Sequence, residues 1–510
     1  MRSKKTIYNM VSSLILKIMV IINGFIVPKI IITSFGSEVN GLVASISQFL
    51  GYIVLLESGV GPVIKAALYK PLAKKDKKKI SSIINESNKF FRTISRIFIL
   101  YILVLIIVYP FVINSNFNYI YTVSLIIIIS INVFAEYYFG MTYALLLQAD
   151  QKSYVTSTIQ TIVYILNCVI VVILAKLKCS IHLIEIVIAI MFTLRPILQK
   201  IYVSKKYNIN FDEYDKDYKL KQKWDGLAQH IAAIIHANTD VTVLTIMSTL
   251  KNVSIYSVYA LVTTGIKSII SVITGSIDAP FGDMIARNEK DNLNKKFSMY
   301  EFIYYTIISI VYSCAIILIV PFVKVYTIGI TDVNYIKPLF GVILILGQLI
   351  HSIRLPYSSI ILAAARFKET RRGAWLESIV NVVLSIILVK RYGLIGVAIG
   401  TAIAMLIRTV EFIIYANKYI LIRKQSKSIK KISLAIFEIF IICIICRFVS
   451  ITNINNYFDW FKYAIVTFSI SCVIVISINS LLFKKDLKES IRIIKNVLSK
   501  GEKNEEGKYN

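Results

Sequence analysis

Charge is scarce in these 510 residues: Asp, Glu, Lys and Arg make up 17%, against about 25% in soluble domains. With 56% hydrophobic residues and a mean hydropathy of +0.69, the deficit excludes an ordinary soluble protein. Other absences narrow the field further. The short alternating segments of a transmembrane β-barrel are missing. There is no GxxxxGK[ST] phosphate loop, which excludes ATP hydrolysis of the P-loop kind. The six cysteines (Cys168, Cys179, Cys314, Cys443, Cys446 and Cys472) show no metal-ligand spacing with histidine, and Cys443 and Cys446 lie in an apolar helix; packing is their expected role. No small-residue cleavage site follows the N-terminal apolar run, so a first membrane helix is expected rather than a signal peptide.

What is present is a succession of long apolar runs. They predict an all-α polytopic membrane protein with about fourteen spans. Their limits are 7–34, 39–69, 90–113, 118–147, 154–177, 181–204, 226–249, 254–286, 297–321, 336–363, 373–391, 394–417, 432–452 and 459–483. The net charge of +29 does not point to nucleic acid, because the basic residues fall on alternate loops rather than in a patch interleaved with aromatics. Lys70, Lys74, Lys75 and 77–79 share one set of loops with 200–223, Arg366, Lys368, Arg371, Arg372 and 418–431, while 35–40 and 114–118 have no Lys or Arg. The positive-inside rule then places both termini in the cytoplasm. The outer loops, the longest near 322–337 and 450–458, are too short for a catalytic domain, which weighs against a polymerase or ligase of sugar chains.

A weak internal repeat is visible. A long helix ending in Ala73-Lys74-Lys75-Asp76 is matched by one ending in Ala286-Arg287-Asn288-Glu289, and each has a Gly/Pro break near its inner end (Gly59, Gly61 and Pro62; Gly275 and Pro280). The expected organisation is an N-lobe over 1–206, a cytoplasmic linker over 207–225, a C-lobe over 226–420, two added helices over 421–484 and a charged cytoplasmic tail over 485–510. Parallel repeats about an axis along the membrane normal are a transporter architecture, with the substrate between the halves.

Polar residues inside the spans mark the candidate site. Thr263, Lys267, Ser271, Thr274 and Asp278 fall within an arc of roughly 80° on a helix. Gln229, His236 and Asp240 fall within roughly 40° on the preceding one, across a short turn near 249–254. Such stripes must face protein or water. Lys267 lies roughly 20 Å and Asp240 roughly 15 Å from the outer ends of their helices, and Lys17 lies roughly 15 Å from the inner end of its own. Asp240 and Lys267 read equally as a structural ion pair or as a phosphate site with a competing carboxylate. Glu57 stands where it could pair with a Lys or take up a proton. Arg354, with His351 and Pro356, suggests a broken helix lining a cavity. Gln48 and Tyr52 add hydroxyl and amide groups suited to a sugar.

The chain resembles the polysaccharide (Wzx-type) flippases of the multidrug/oligosaccharidyl-lipid/polysaccharide (MOP) exporter superfamily. The resemblance is carried by Asn238-Thr239-Asp240, Tyr256-Ser257-Val258-Tyr259, Pro280-Phe281-Gly282, Arg354-Leu355-Pro356-Tyr357, Phe367-Lys368-Glu369-Thr370 and Tyr392-Gly393-Leu394-Ile395-Gly396-Val397-Ala398-Ile399-Gly400-Thr401, and in the first half by Phe35-Gly36-Ser37-Glu38-Val39-Asn40-Gly41-Leu42 and Glu57-Ser58-Gly59-Val60-Gly61. It implies two six-helix lobes working by alternating access in a bacterial cell membrane, with no enzyme activity and no cofactor; the coupling ion, H+ or Na+, is left open. It implies an undecaprenyl-pyrophosphate-linked oligosaccharide as cargo, and contacts with a polysaccharide polymerase and glycosyltransferases. The expected central-cavity residues are Lys17, Gln48, Tyr52, Glu57, His236, Asp240, Thr263, Lys267, Ser271, Thr274 and Arg354. Lys suits a pyrophosphate that must be released, because it acts as a point charge. A cation-coupled multidrug exporter of the same fold is the alternative, and buried bases weigh against it. A membrane polymerase or ligase is the third reading.

Overall fold

The computed structural model describes residues 2–57, 59–115, 117–207, 227–275, 278–449 and 454–484. Among the described residues the regular structure is helical, and no strand occurs. In chain order, α1 is Arg2–Phe35, and α2 comes in three pieces, Ser37–Gly51, Val54–Glu57 and Val60–Lys74. Lys77–Val112 is α3, and Tyr119–Ala149 is α4, with a π turn at Glu136–Gly140. Ser153–Lys176 is α5, Ile181–Tyr207 is α6 and Leu227–Met247 is α7. Leu250–Gly275 followed by Asp278–Ala286 is α8, Lys290–Tyr326 is α9 and Pro338–Ala363 is α10. Phe367–Tyr392 is α11, and Leu394–Tyr415 is α12, which runs into a π turn at Ala416–Ile420. Ser426–Phe448 is α13 and Tyr457–Leu482 is α14. Twelve of these are long and apolar enough to cross a membrane. The other two are α7, with an apolar stretch Ile234–Met247, and α13, which carries Lys430, Lys431, Glu438 and Arg447 among its apolar residues.

Two compact units divide the chain. The first holds Met1–Leu261, Gly329–Asn334 and Asn381–Val397; the second holds Val262–Ile328, Tyr335–Val380 and Ala398–Asn510. In the first, α3 starts at Lys77, thirteen residues before the predicted span. Asp76 caps it by accepting from Lys79 N at 3.0 Å. The extra turns are amphipathic: Ile80, Ile83 and Ile84 continue at helical spacing into Phe91, Ile94 and Phe98 of the predicted span. They enter one core with Ile64 and Leu68 of α2 and Leu145 and Leu146 of α4. Likewise α9 starts at Lys290 rather than 297. The helix predicted over 39–69 is three pieces; the second break is at Gly59, whose left-handed φ of +93° stops the helix before Val60, a conformation open to glycine at little cost.

The broken helix expected around Arg354 and Pro356 is not found: α10 is continuous. Proline has no N–H to give the carbonyl four residues back, here that of Ser352. The Tyr304 hydroxyl of α9 donates to that carbonyl at 2.8 Å, and Tyr305 Oη donates to Ile353 O at 3.0 Å. Pro110 in α3 is treated alike, with Tyr119 Oη donating to Ile106 O at 3.2 Å.

The repeat extends to the backbone. Left-handed residues end α2 and α8 (Lys75, Asn288), α4 and α10 (Gln151, Ala365) and α5 and α11 (Lys178, Gly393). The pairs are separated by 213, 214 and 215 residues.

The second unit is centred on a carboxylate. Glu301 of α9 has no exposed surface. Its Oε1 accepts from Arg423 Nη2 at 2.6 Å, Tyr357 Oη at 2.8 Å and Ser428 Oγ at 2.9 Å. Lys431 Nζ lies 3.6 Å from Oε2. One side chain thus ties α9 to α10, to the segment after α12 and to α13. Removing one partner of a buried pair costs about 3–5 kcal/mol. Glu301→Gln is therefore expected to lower the thermal unfolding temperature in detergent by a loss of about 3 kcal/mol, and Glu301→Met with Arg423→Met to recover part of it. An unchanged unfolding curve for Glu301→Gln would show that the cluster is not needed for stability.

Candidate functional site

Within the first unit a seam of hydroxyl and amide groups joins α2 to α7 and the start of α8. Asn40 Nδ2 donates to Ser254 Oγ at 2.7 Å and lies 3.2 Å from Ser257 Oγ. Ser45 Oγ is 2.7 Å from Thr245 Oγ1 and also accepts from Tyr109 Oη at 2.7 Å. Further along, Tyr52 Oη is 2.8 Å from Thr242 Oγ1. The register is set by close approach at Gly41. A Cβ there would stand 1.8 Å from the Leu250 carbonyl oxygen, so only glycine lets α2 touch the turn between α7 and α8. The N-terminus of α2 is capped from far along the chain. Gly36 offers no side chain, and Asp332 instead accepts from Ser37 N at 2.7 Å and from Ser37 Oγ at 2.8 Å, satisfying an otherwise orphaned donor.

The local sequence explains why these groups are available. Thr239, Thr242 and Thr245 recur every third residue of α7, and each hydroxyl donates to the carbonyl four residues back. That bond disposes of the hydroxyl proton inside the membrane and leaves the oxygen as an acceptor. Of the predicted residues, Tyr52 is therefore placed in the seam directly, and Gln48 lies half-buried one turn before it on α2. Asp240 is buried, and its Oδ2 accepts from Tyr256 Oη of α8 at 2.8 Å. His236 is half-buried on the same helix. Glu57 ends the short middle piece of α2, half-buried, with the Tyr137 hydroxyl in hydrogen-bonding reach. Lys17 is exposed on α1.

Thr263, Lys267, Ser271, Thr274 and Arg354 belong to the second unit. Lys267 and Ser271 are exposed, and Thr263 and Thr274 are buried. The side chains of Gln229 and Asp278 lie outside the described residues. Arg354 is committed elsewhere in its unit: Nη1 bonds Glu377 Oε1 at 2.5 Å. Arg408 stands 3.9 Å from the other Glu377 oxygen and 2.6 Å from Glu411. This network of two guanidiniums and two carboxylates accounts for Arg354 without a ligand.

The seam's Asn40, Ser45, Thr242 and Thr245 were not among the predicted residues. Small hydroxyl residues in an apolar helix are common, and only the partner helix distinguishes them. The three-residue spacing of threonines in α7 is the signal that marks them.

No protein-family model matches the sequence, and no curated protein matches it. Solved structures do. The lipid II flippase MurJ in an inward closed conformation matches with a TM-score of 0.67 at 17% identity, over 93% of this chain and 99% of that one. An inward-facing multidrug resistance MATE family transporter of the MOP superfamily matches at 0.61 and 13%, over 80% and 95%. The MATE multidrug transporter DinF-BH matches at 0.57 and 12%, over 83% and 96%. The chain has the fold these proteins share, a bundle of membrane-spanning helices.

The seam predicts a specific sensitivity. Gly41→Ala is expected to push α2 off the α7–α8 turn and to make the N-terminal part of α2 accessible to a membrane-impermeant thiol reagent at a cysteine introduced at Ser45. Labelling no faster than in the Ser45→Cys protein alone would show that Gly41 does not hold the contact.

Proposed function

We propose that this protein is a flippase that moves an undecaprenyl-pyrophosphate-linked oligosaccharide from the inner to the outer leaflet of a bacterial cell membrane for surface polysaccharide synthesis. The observation that carries the reading is the fold shared with a lipid II flippase over almost the whole of both chains. The chemistry of the spans agrees with it. A pyrophosphate head needs cations, and Lys17 and Lys267 are exposed cations within the spans. A sugar head needs exchangeable donors and acceptors, and the α2 and α7 faces carry Gln48, Tyr52 and Thr242. The lipid tail can stay in the bilayer. Translocation proceeds by alternating access of the lobes 1–206 and 226–420, the helices of 421–484 being an addition to them, with the linker and both termini on the cytoplasmic side.

In this scheme the α2–α7 seam is the outer closure. It consists of neutral side-chain hydrogen bonds, each worth about 1 kcal/mol net, so it can open within a transport cycle. The glycosyltransferases that build the cargo and the polymerase that consumes it are the expected functional partners.

Two experiments test the proposal. Lys267→Ala is expected to abolish surface polysaccharide export while the protein still inserts; normal export would remove Lys267 from the mechanism. Ser45→Cys with Thr245→Cys brings thiols to positions whose native oxygens are 2.7 Å apart. Oxidation is expected to stop export and reduction to restore it, and export that continues with the crosslink formed would exclude opening of the seam. The second reading, a cation-coupled drug exporter, draws on the MATE neighbours. It requires a deletion strain to become drug-sensitive with its surface polymer intact.

A further inference from the structure

Away from the seam, the first unit contains a cavity of about 370 Å3 among α4, α5 and α6. Glu136, Tyr164 and Arg195 sit near the middle of their helices, so the cavity lies at the depth where transporter sites are usually found. Its volume is within the range of about 300–1,000 Å3 typical of small-molecule sites. Its walls include Tyr137, Tyr164 and Phe192, and its polar groups include Asn132, Glu136 and Arg195.

The ion pair in it is only partly used. Arg195 Nη2 donates to Glu136 Oε2 at 3.1 Å. Arg195 Nε is buried with no hydrogen-bond partner among the described residues. Both side chains nevertheless keep accessible surface, 18% for Arg195 and 23% for Glu136, and both line the cavity, so the pair can still bond an occupant. The pair is held in place by the backbone. Glu136 opens the π turn Glu136–Gly140, a feature frequent at functional sites. One turn on, Gly140 lies so near Pro196 that a Cβ would stand 2.5 Å from Pro196 Cβ, which pins α4 to α6 beside the pair.

The charges select the kind of ligand. An anion would meet Glu136, with Glu57 behind it at the Tyr137 hydroxyl, and a cation would meet Arg195, whose guanidinium already stands 4.9 Å over the Phe192 ring. A neutral molecule rich in hydroxyls meets neither objection. It can accept from the guanidinium, donate to the carboxylate and lay an apolar ring face on the tyrosines, whose rings are apolar with a polar tip.

We propose that this cavity is a saccharide subsite, holding a neutral hexose or N-acetylhexosamine of the cargo by Arg195 and Glu136 with Tyr137 and Tyr164 as stacking faces. The assignment rests on the flippase reading and names the sugar chemistry that reading leaves open. The test uses the full chain in lipid nanodiscs. Saturation-transfer NMR measures binding of the methyl glycosides of glucose, galactose and N-acetylglucosamine, with tetraphenylphosphonium as the cation probe. At least one glycoside is expected to bind, and its affinity to fall about tenfold in Arg195→Lys, which keeps the charge and loses the fork, and in Tyr164→Leu; tenfold corresponds to about 1.4 kcal/mol. Thermal unfolding checks that each variant is folded. Glycoside binding that is unchanged in the folded variants would overturn the subsite and leave the flippase reading standing. Tetraphenylphosphonium binding that is lost in Glu136→Gln, with no glycoside bound, would overturn both.

Discussion

Hydrocarbon offers no hydrogen bonds, and that constraint governs how this chain is built. Each polar group within a span must find its partner inside the protein. At its prolines the chain meets the demand with tyrosines. Pro110 and Pro356 each free a carbonyl, and a tyrosine hydroxyl from the neighbouring helix takes it up: Tyr119 at Ile106, Tyr304 at Ser352. Serine and threonine hydroxyls return to their own helices, as Ser87 does to Ile83 and Ser95 to Phe91. The same rule orders the charges. Glu301, with no exposed surface, is met by Arg423, Tyr357, Ser428 and Lys431. Arg354 is met by Glu377.

The same constraint explains what can be read from the sequence. Fourteen helices follow from hydropathy, because lipid requires long apolar runs and the chain supplies them. Their ends are less legible. The extra turns of α3 and α9 are polar on one side, and a window tuned to apolar runs stops short of Lys77 and Lys290. The continuity of α10 is not foreseeable, since it depends on Tyr304 and Tyr305, about fifty residues before Pro356 in the chain. The repeat is visible in the sequence as two charged turns, and in the structure also as a backbone pattern of left-handed residues.

Among the candidate site residues, spacing on one helix identifies faces but not partners. Tyr52 is legible as a polar group in an apolar helix; its partner Thr242, 190 residues away, is not. Arg354 is legible as a buried cation in need of an explanation, and Glu377 supplies one 23 residues later. Asp240 reads in the sequence against Lys267 on the next helix, whereas within its own unit it accepts from Tyr256, near the start of α8. Glu301 escapes notice because it lies near the start of a predicted span, where a charged residue ordinarily reaches the headgroups. Its burial arises from α13, which covers it through Ser428 and Lys431.

The bonds also differ in kind according to where they stand. The Glu301 cluster and the Arg354–Glu377–Arg408–Glu411 network use charge-assisted bonds of 2.5–2.9 Å at their short contacts, which are roughly twice as strong as neutral ones. The seam of α2 with α7 and α8 uses neutral groups: an amide on a hydroxyl, and hydroxyls on hydroxyls. Each bond there can be exchanged for one to water at little net cost. The threonines of α7 keep their own i−4 bonds whether the partner is present or not, so parting the seam leaves only the Ser45 and Tyr52 hydroxyls and the Asn40 amide to find new acceptors. A contact of ion pairs could not be parted so cheaply, because each charge would be left to find a new partner. The α2 face therefore meets α7 and α8 through bonds that exchange cheaply, while its first turn is held by the Asp332 carboxylate at Ser37, and the charge pairs of the first unit, Glu136 with Arg195 and Asp150 with Lys152, stand outside α2.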